Sequence, residues 1–305
     1  MNESISIRER GLELSDLLLF KTVAEAGSVT RAAQRLHRVQ SNVTARVKKL
    51  ESHLDVPLFV RGRRGMSLTP EGRRLLDYAD RLLTLAEEAR ADLSALPPRG
   101  RLHIGAMEST AAVHLPHLLS RLHTKYPTLE VHLATGTSGA LLARVRAGEL
   151  SAAFVGGDIA EPGLAADPAF VEELVLITHA KTRRSPGADD LRAKTLVTFG
   201  AGCAYRVCIE AWLATRSVRP PRIFEVGSYH AMLACVAADV GYAVMPRSVL
   251  LASSARRAVG AHRVGHRPWR ITTWLVRRAT DRSRAVEALR QLVVARARPS
   301  RRAPA

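Results

Sequence analysis

Gln40-Ser41-Asn42-Val43-Thr44-Ala45-Arg46-Val47-Lys48-Lys49-Leu50-Glu51-Ser52-His53-Leu54 is the stretch whose reading decides the fold. Val43, Val47, Leu50 and Leu54 recur at the spacing that places side chains on one face of an α-helix, so that face is the buried one. The opposite face carries Gln40, Ser41, Thr44, Ala45, Arg46, Lys48 and Lys49. Amides and small hydroxyls can bond base edges, and cations in the C-terminal half can reach flanking phosphates, which is the chemistry of a helix that reads the major groove. A solvated basic helix would carry the same charge, so the flanking sequence has to separate the two.

Upstream, Ser15 is placed to cap a helix running to about Ala26 and closed by Gly27, and Thr30 to cap a short helix from Arg31 to Leu36. Ala32 and Ala33 are small enough to let another helix cross closely, which gives a helix-turn-helix with the quoted stretch as its third member. Downstream, Pro57 to Arg61 and Met66 to Thr69 are short apolar strands around Gly62-Arg63-Arg64-Gly65. They predict a β-hairpin wing with a basic tip, suited to a phosphate backbone or a minor groove.

The charge distribution agrees. The chain has 305 residues, enough for two or three domains, and a net charge of +18. Arginine outnumbers lysine 40 to 6, a bias that weakens the total as a signal, but residues 30–74 hold 11 Lys/Arg against 3 Asp/Glu while residues 75–96 hold 2 against 5. A uniform bias would not reverse in this way. A second basic excess, 14 against 2 over residues 256–305, ends in a tail over 298–305 that reads as disordered. No apolar run is long enough to span a membrane and Met1 to Gly11 has no signal-peptide core, so the expected location is cytoplasmic, with no membrane partner.

Thr69 as cap, Pro70 at the first helical position and Glu71 in the first turn start a long helix. Leu75, Ala79, Leu82, Ala86, Ala89, Leu93 and Leu96 alternate by four and three residues along it, a seam that predicts a dimer. Pro97-Pro98-Arg99-Gly100 ends the helix and marks a domain boundary.

Beyond Gly100 short apolar runs alternate with helical ones, the pattern of an open α/β fold. Candidate strands are 102–106, 130–134, 152–156, 174–178, 195–199, 223–226, 242–245 and 271–276; candidate helices are 115–125, 139–147, 205–214, 229–238 and 284–295. Ligands of such folds bind outside the carboxyl ends of strands. Those ends carry Glu108-Ser109-Thr110, Thr135-Gly136-Thr137-Ser138, Gly200-Ala201-Gly202-Cys203 and Val226-Gly227-Ser228-Tyr229. Their convergence would make a pocket for a small polar molecule, most simply a carboxylate, with Ser109, Thr110, Thr135, Thr137, Ser138, Cys203, Arg206, Ser228 and Tyr229 as its contacts. Cys203 has a second reading: a following helix N-terminus and Arg206 both favour thiolate. The three cysteines form no zinc-ligand set, and no G-x-S-x-G elbow, P-loop or HExxH motif is present. No metal, cofactor or enzymatic activity is therefore expected. A thiol enzyme and a DNA-packaging protein are the competing readings.

The chain resembles the LysR-type transcriptional regulators. The likeness rests on Ala32-Ala33-Gln34-Arg35-Leu36, on residues 40–51, on Leu54-Asp55-Val56-Pro57-Leu58-Phe59-Val60-Arg61 and on Leu68-Thr69-Pro70-Glu71-Gly72. In the second half it rests on residues 148–154 and 236–246. Four positions depart from the common pattern: Val39, where a Ser or Thr would cap the third helix, Asp55, Ser151 and Asp239.

The resemblance implies that Gln40, Ser41, Thr44 and Arg46 approach bases or nearby phosphates, that Thr30, Arg31, Arg61, Arg63 and Arg64 hold the backbone, and that the long helix pairs subunits; Lys48 reads as a further phosphate contact. It implies an N-terminal extension 1–13, a winged helix-turn-helix 14–69, a linker helix 70–96, a hinge 97–100 and a two-lobed, periplasmic-binding-protein-like effector domain 101–297, with lobe I formed by 101–178 and 272–297 and lobe II by 179–271. The implied function is that of a homodimeric or homotetrameric regulator binding double-stranded promoter DNA, answering a small-molecule effector such as a carboxylate or amino-acid-like metabolite and contacting RNA polymerase, with a thiol-based redox-sensing regulator using Cys203 as the alternative. Some peroxide-sensing members of this family carry a reactive cysteine in the lobe that holds Cys203.

Overall fold

The computed structural model describes residues 12–62, 65–93, 97–157, 159–264 and 268–297. The chain divides into two compact units, 1–94 and 95–305. In the first, α1 (Leu14–Ala26), α2 (Val29–Arg35) and α3 (Gln40–Leu54) are followed by strands β1 (Phe59–Gly62) and β2 (Gly65–Leu68) and the long α4 (Pro70–Leu93). α1 ends where Gly27 adopts a left-handed φ of 60° and its N–H turns back to Val23 and Ala24. α2 is capped by Ser28, whose Oγ accepts from Arg31 N, and not by Thr30. α3 starts and ends where its periodicity places it, with Val43, Val47 and Leu50 buried. Val39 supplies no side-chain cap, and Asp55 closes the helix at a φ of 53°.

β1 and β2 pair antiparallel, Phe59 with Leu68 through Gly62 with Gly65. The Glu51 carboxylate accepts from Leu58 N and Phe59 N at 2.8 and 3.2 Å, tying the end of α3 to the wing. Thr69 Oγ1 accepts from Gly72 N at 2.9 Å and donates to Pro57 O at 2.8 Å, so one hydroxyl both caps α4 and holds the wing's other end. A Cβ on Gly72 would lie 2.2 Å from Leu58 O, which explains a glycine in a helix's first turn.

The predicted seam of α4 is divided. Ala79 is buried with Leu17, Phe20, Leu50 and Leu58, and Leu75, Leu76 and Leu83 pack on the same cluster. Leu75 and Ala79 thus hold α4 on its own domain. The apolar side chains left exposed are Tyr78 at 59%, Leu82 at 40% and Leu85 at 58%. Ala89 is exposed and Ala86 half-buried, while the side chain of Leu93, like Leu96, lies outside the described residues.

The second unit has the element order β3 (Gly100–Ala106), α5 (Glu108–Val113), α6 (Leu115–Lys125), β4 (Leu129–Thr135), α7 (Ser138–Arg146), β5 (Ala152–Gly156) and β6 (Leu164–His179). There follow α8 (Ala188–Arg192), β7 (Thr195–Thr198), α9 (Ala204–Ala214), β8 (Ile223–Glu225), α10 (Tyr229–Ala237) and β9 (Gly241–Pro246). α11 (Arg247–Ala252), β10 (Val259–Arg263), β11 (Trp269–Arg278) and α12 (Arg284–Ala297) complete it. One sheet runs β4-β3-β5-β11-β6-β9-β7-β8, with β10 also paired to β6. The β4-β3-β5 and β9-β7-β8 ends are parallel, and the central β11–β6 pair is antiparallel.

That central pair makes two lobes of one sheet. β6 contributes Ala169 and Phe170 to a core with Leu102, Phe154 and Leu289, then Leu174 to Ile177 to a second core with Tyr242 and Met232. β11 returns from Ile271 in the second core to Leu275 in the first. The first crossing therefore lies between Phe170 and Leu174 and not at residue 178, because the side chains of 174–177 are already inside the second lobe. No helix among the described residues is long and apolar enough to cross a membrane.

Candidate functional site

In the N-terminal unit, Gln40 and Ser41 stand exposed at the start of α3, with Lys48 and Lys49 exposed further along. Thr30 Oγ1 donates to Gln40 Oε1 at 3.3 Å, which leaves the amide NH2 of Gln40 to point elsewhere. Thr44 donates its hydroxyl proton to Gln40 O at 2.9 Å, so it offers outward a methyl group and acceptor lone pairs. Thr30 and Arg31 are exposed beside them on α2.

Arg46 departs from the sequence-based reading. Its Nε donates to Asp16 Oδ1 at 2.8 Å, and Nη2 both reaches the same oxygen and donates to Ser15 Oγ at 2.7 Å. Two of the three guanidinium nitrogens hold α3 against α1. Residue number alone could not reveal a partner 30 positions upstream. The Arg61 side chain, Arg63 and Arg64 lie outside the described residues.

In the second unit, the four loops picked out by their small residues do converge. A cavity of about 330 Å³ lies between the lobes. Lobe I contributes Met107 and Glu108 after β3 and Thr135, Gly136, Thr137 and Ser138 after β4. Lobe II contributes Phe199, Gly200, Cys203 and Tyr205 after β7, and Val226, Gly227 and Tyr229 after β8. The lobes touch at its rim, where Gly139 N donates to Gly202 O at 3.3 Å. Gly202 has a φ of +85°, and a Cβ there would come 3.2 Å from Thr137 Oγ1. Phe199 and Tyr229 meet edge-on, their centroids 4.8 Å apart.

Thr135, Thr137, Ser138, Cys203 and Tyr229 line the cavity, and Ser109, Thr110, Arg206 and Ser228 do not. Glu108-Ser109-Thr110 begins helix α5 and is not a loop, so Ser109 and Thr110 turn into the protein. Ser109 Oγ bonds Tyr205 Oη across the lobes at 3.2 Å. Ser228 Oγ accepts from Ala231 N at 3.2 Å as the cap of α10. Arg206 is engaged by Glu210, Glu225 and Phe199 O.

Cys203 precedes α9 as expected, but its environment reverses the predicted electrostatics. It is 8% exposed, and burial pushes the thiol up more than the N–H groups of Arg206 and Tyr205 and the Arg206 charge pull it down. Sequence reasoning passed over Glu108, whose Oε1 accepts from Tyr229 N of lobe II at 3.3 Å and whose Oε2 is buried without a hydrogen-bond partner among the described residues. Burial raises its carboxyl above the ordinary 4.5, against the pull of Tyr229 N–H and His230. A carboxylate opening a helix, immediately after a strand, was the available signal.

A winged helix-turn-helix unit and a two-lobed α/β unit enclosing a small-molecule-sized cavity define a DNA-binding transcriptional regulator with an effector-binding domain. Residues 14–73 match the bacterial regulatory helix-turn-helix protein, lysR family, and residues 95–298 match the LysR substrate binding domain; the chain belongs to the LysR family. It is similar to the uncharacterized HTH-type transcriptional regulator YusT of Bacillus subtilis (strain 168), at 40% identity over 78% of this chain and 80% of that one. To the HTH-type transcriptional regulator GltR of the same organism it is 35% identical, covering 86% and 89%. The solved structure of full-length CbnR complexed with its target DNA matches with a TM-score of 0.67 and 25% identity, covering 93% of this chain and 99% of that one.

Proposed function

We propose that this regulator binds promoter DNA as an oligomer and changes that binding when a small molecule occupies the cavity between the lobes. The observation that carries the reading is the cavity itself, walled by both lobes at the carboxyl ends of four strands. A ligand touching both walls binds one interlobe angle better than another, and that differential affinity is what a switch requires.

On the DNA side, Gln40, Ser41 and Thr44 read base edges, while Thr30, Arg31, Lys48, Arg61, Arg63 and Arg64 hold phosphates. Arg46 acts through Asp16 as a positioning residue. Oligomerisation uses the outward row Tyr78, Leu82, Leu85 and Ala89, which repeats by four and three residues as a coiled-coil seam does. RNA polymerase is the further partner of such a complex. For Cys203, burial and the raised thiol support a cavity-wall role over peroxide sensing.

The test is footprinting of the promoter beside the protein's own gene, with and without candidate small molecules. A footprint whose length or affinity shifts with a ligand supports the reading; a footprint indifferent to every ligand that binds the cavity overturns it.

A further inference from the structure

We infer that the ligand of this cavity presents a cationic, hydrogen-bond-donating head group, an ammonium or amidinium, to the carboxylate of Glu108, with an apolar body against Phe199. The inference rests on the reading of the cavity as the effector site and names the class of molecule it takes.

Glu108 brings a carboxylate to the wall, and the described residues lining the cavity include no Lys, Arg or His. Its Oε2 is buried and lacks a donor among the described residues, and its Oε1 has the single long bond from Tyr229 N at 3.3 Å. A carboxylate with one oxygen lacking a donor and the other holding a single long bond is costly, and a ligand donor that meets Oε1, or Oε2 once the side chain turns toward the cavity, offsets that cost.

Several of the donors that would welcome an anion are already used. At the start of α7, Gly139 N is bonded to Gly202 O and Ala140 N to Thr137 Oγ1. At the start of α10, Tyr229 N faces Glu108 and Ala231 N faces Ser228 Oγ. The Arg206 guanidinium is held by Glu210 and Glu225. A carboxylate ligand, the simplest expectation from sequence, would meet Glu108 with no compensating cation from the wall. A cation meets one carboxylate and the aromatic pair Phe199 and Tyr229, whose rings also attract positive charge.

The experiment is calorimetric titration of the full chain with butylamine, phenethylamine and benzamidine, each beside the alcohol and the carboxylate of matching skeleton. The expected result is that at least one amine or amidine binds tenfold or more tightly than its neutral and anionic counterparts, and that Glu108→Gln weakens it by about 10–100-fold, the range of a charged hydrogen bond. Glu108→Asp, which keeps the charge, retains the preference for cations. The wild-type comparison stands by itself if the Gln variant fails to fold.

Carboxylate binding as tight as amine binding overturns the assignment, as does an amine affinity indifferent to Glu108→Gln or the absence of binding by every amine at millimolar concentration. Gly227→Leu separates this from failure of the site. Gly227 lines the cavity and a Cβ on it meets no atom within 4 Å, so the side chain enters at the wall without a clash. A carboxylate whose binding Gly227→Leu abolishes removes the cationic head group and keeps the effector site; binding of any class that survives it removes the site.

Discussion

Asp16 of α1 and Arg46 of α3 form an ion pair whose side chains are only 19% and 24% exposed, so α3, the helix proposed to read bases, is pinned to the first helix by a largely enclosed charge. Ser15 Oγ accepts from the same Nη2 that pairs with Asp16. If Arg46 positions α3, Asp16→Ala and Arg46→Ala weaken operator binding to a similar degree and each lowers the stability of the DNA-binding unit by about 1–3 kcal/mol. Neither changes the slope of log affinity against log salt. Lys48→Ala, by contrast, reduces that slope by about 1, as loss of a phosphate contact requires. Titrations at several salt concentrations decide it; a slope change in Arg46→Ala equal to that in Lys48→Ala returns Arg46 to the DNA.

Reading specificity separates Gln40 from its neighbours. Thr30 donates to the Gln40 carbonyl oxygen, which leaves the NH2 as the donor that the proposed base contact would use. Gln40→Ala is expected to reduce discrimination at one base pair by about 1–3 kcal/mol while leaving the other positions ranked as before. Binding to a set of single-base operator variants measures this, and an equal loss on every sequence would make Gln40 a backbone contact.

How much of this was legible follows from how local each signal is. The bounds of α3 and its buried face were readable because helical periodicity is written in adjacent residues. The cavity walls were readable because strand ends here carry small residues. Pairings across the chain were not: nothing near Arg46 announces Asp16, and nothing near Glu108 announces Tyr229, 121 residues on. Asp167-Pro168 argues against a strand, yet β6 runs through it. A register shift opposite Thr273 and Trp274 lets β11 pair with Phe170 and Pro168 on either side of Ala169. Leu75 and Ala79 enter the predicted α4 seam for a related reason. Both of its faces are apolar, and only packing against Leu17 and Phe20 tells the inner one from the outer.

The two faces of α4 make opposite predictions. Leu85→Glu, on the exposed row, dissociates the oligomer without lowering the melting temperature of the DNA-binding unit. Ala79→Glu places a charge in a position with no exposure and destabilises that unit by several kcal/mol, about the cost of a buried unpaired charge. Sedimentation and thermal melts of both variants separate the effects; an Ala79→Glu variant that melts normally and merely dissociates would restore the sequence-based seam.

At the crossing between the lobes, Glu172 is 2% exposed and joins His114 of lobe I to Ser248 of lobe II, the latter at 2.7 Å. Glu172→Leu leaves two half-buried partners without their acceptor and should cost about 1–3 kcal/mol in all. Chemical denaturation measures the loss. A variant as stable as the parent would mean that water replaces the carboxylate.

Glu108 gives a pH signature. Burial raises its carboxyl above 4.5, more than Tyr229 N–H and His230 lower it, while the neighbouring Tyr205, Tyr229 and Cys203 are themselves raised by burial. A carboxyl whose native value is raised favours folding in its protonated form. Its contribution is complete below the unfolded value and is lost as pH rises through the native one. Glu108→Gln therefore raises the melting temperature of the unliganded protein at about pH 7, and the gain disappears below 4.5, where the parent is protonated in both states. A bound amine reverses the ordering at neutral pH by stabilising the ionised carboxylate, so the parent then melts above the variant. Melting curves across this range with and without phenethylamine test both halves, and a difference between parent and Glu108→Gln that does not vary with pH would show that the carboxylate is not desolvated.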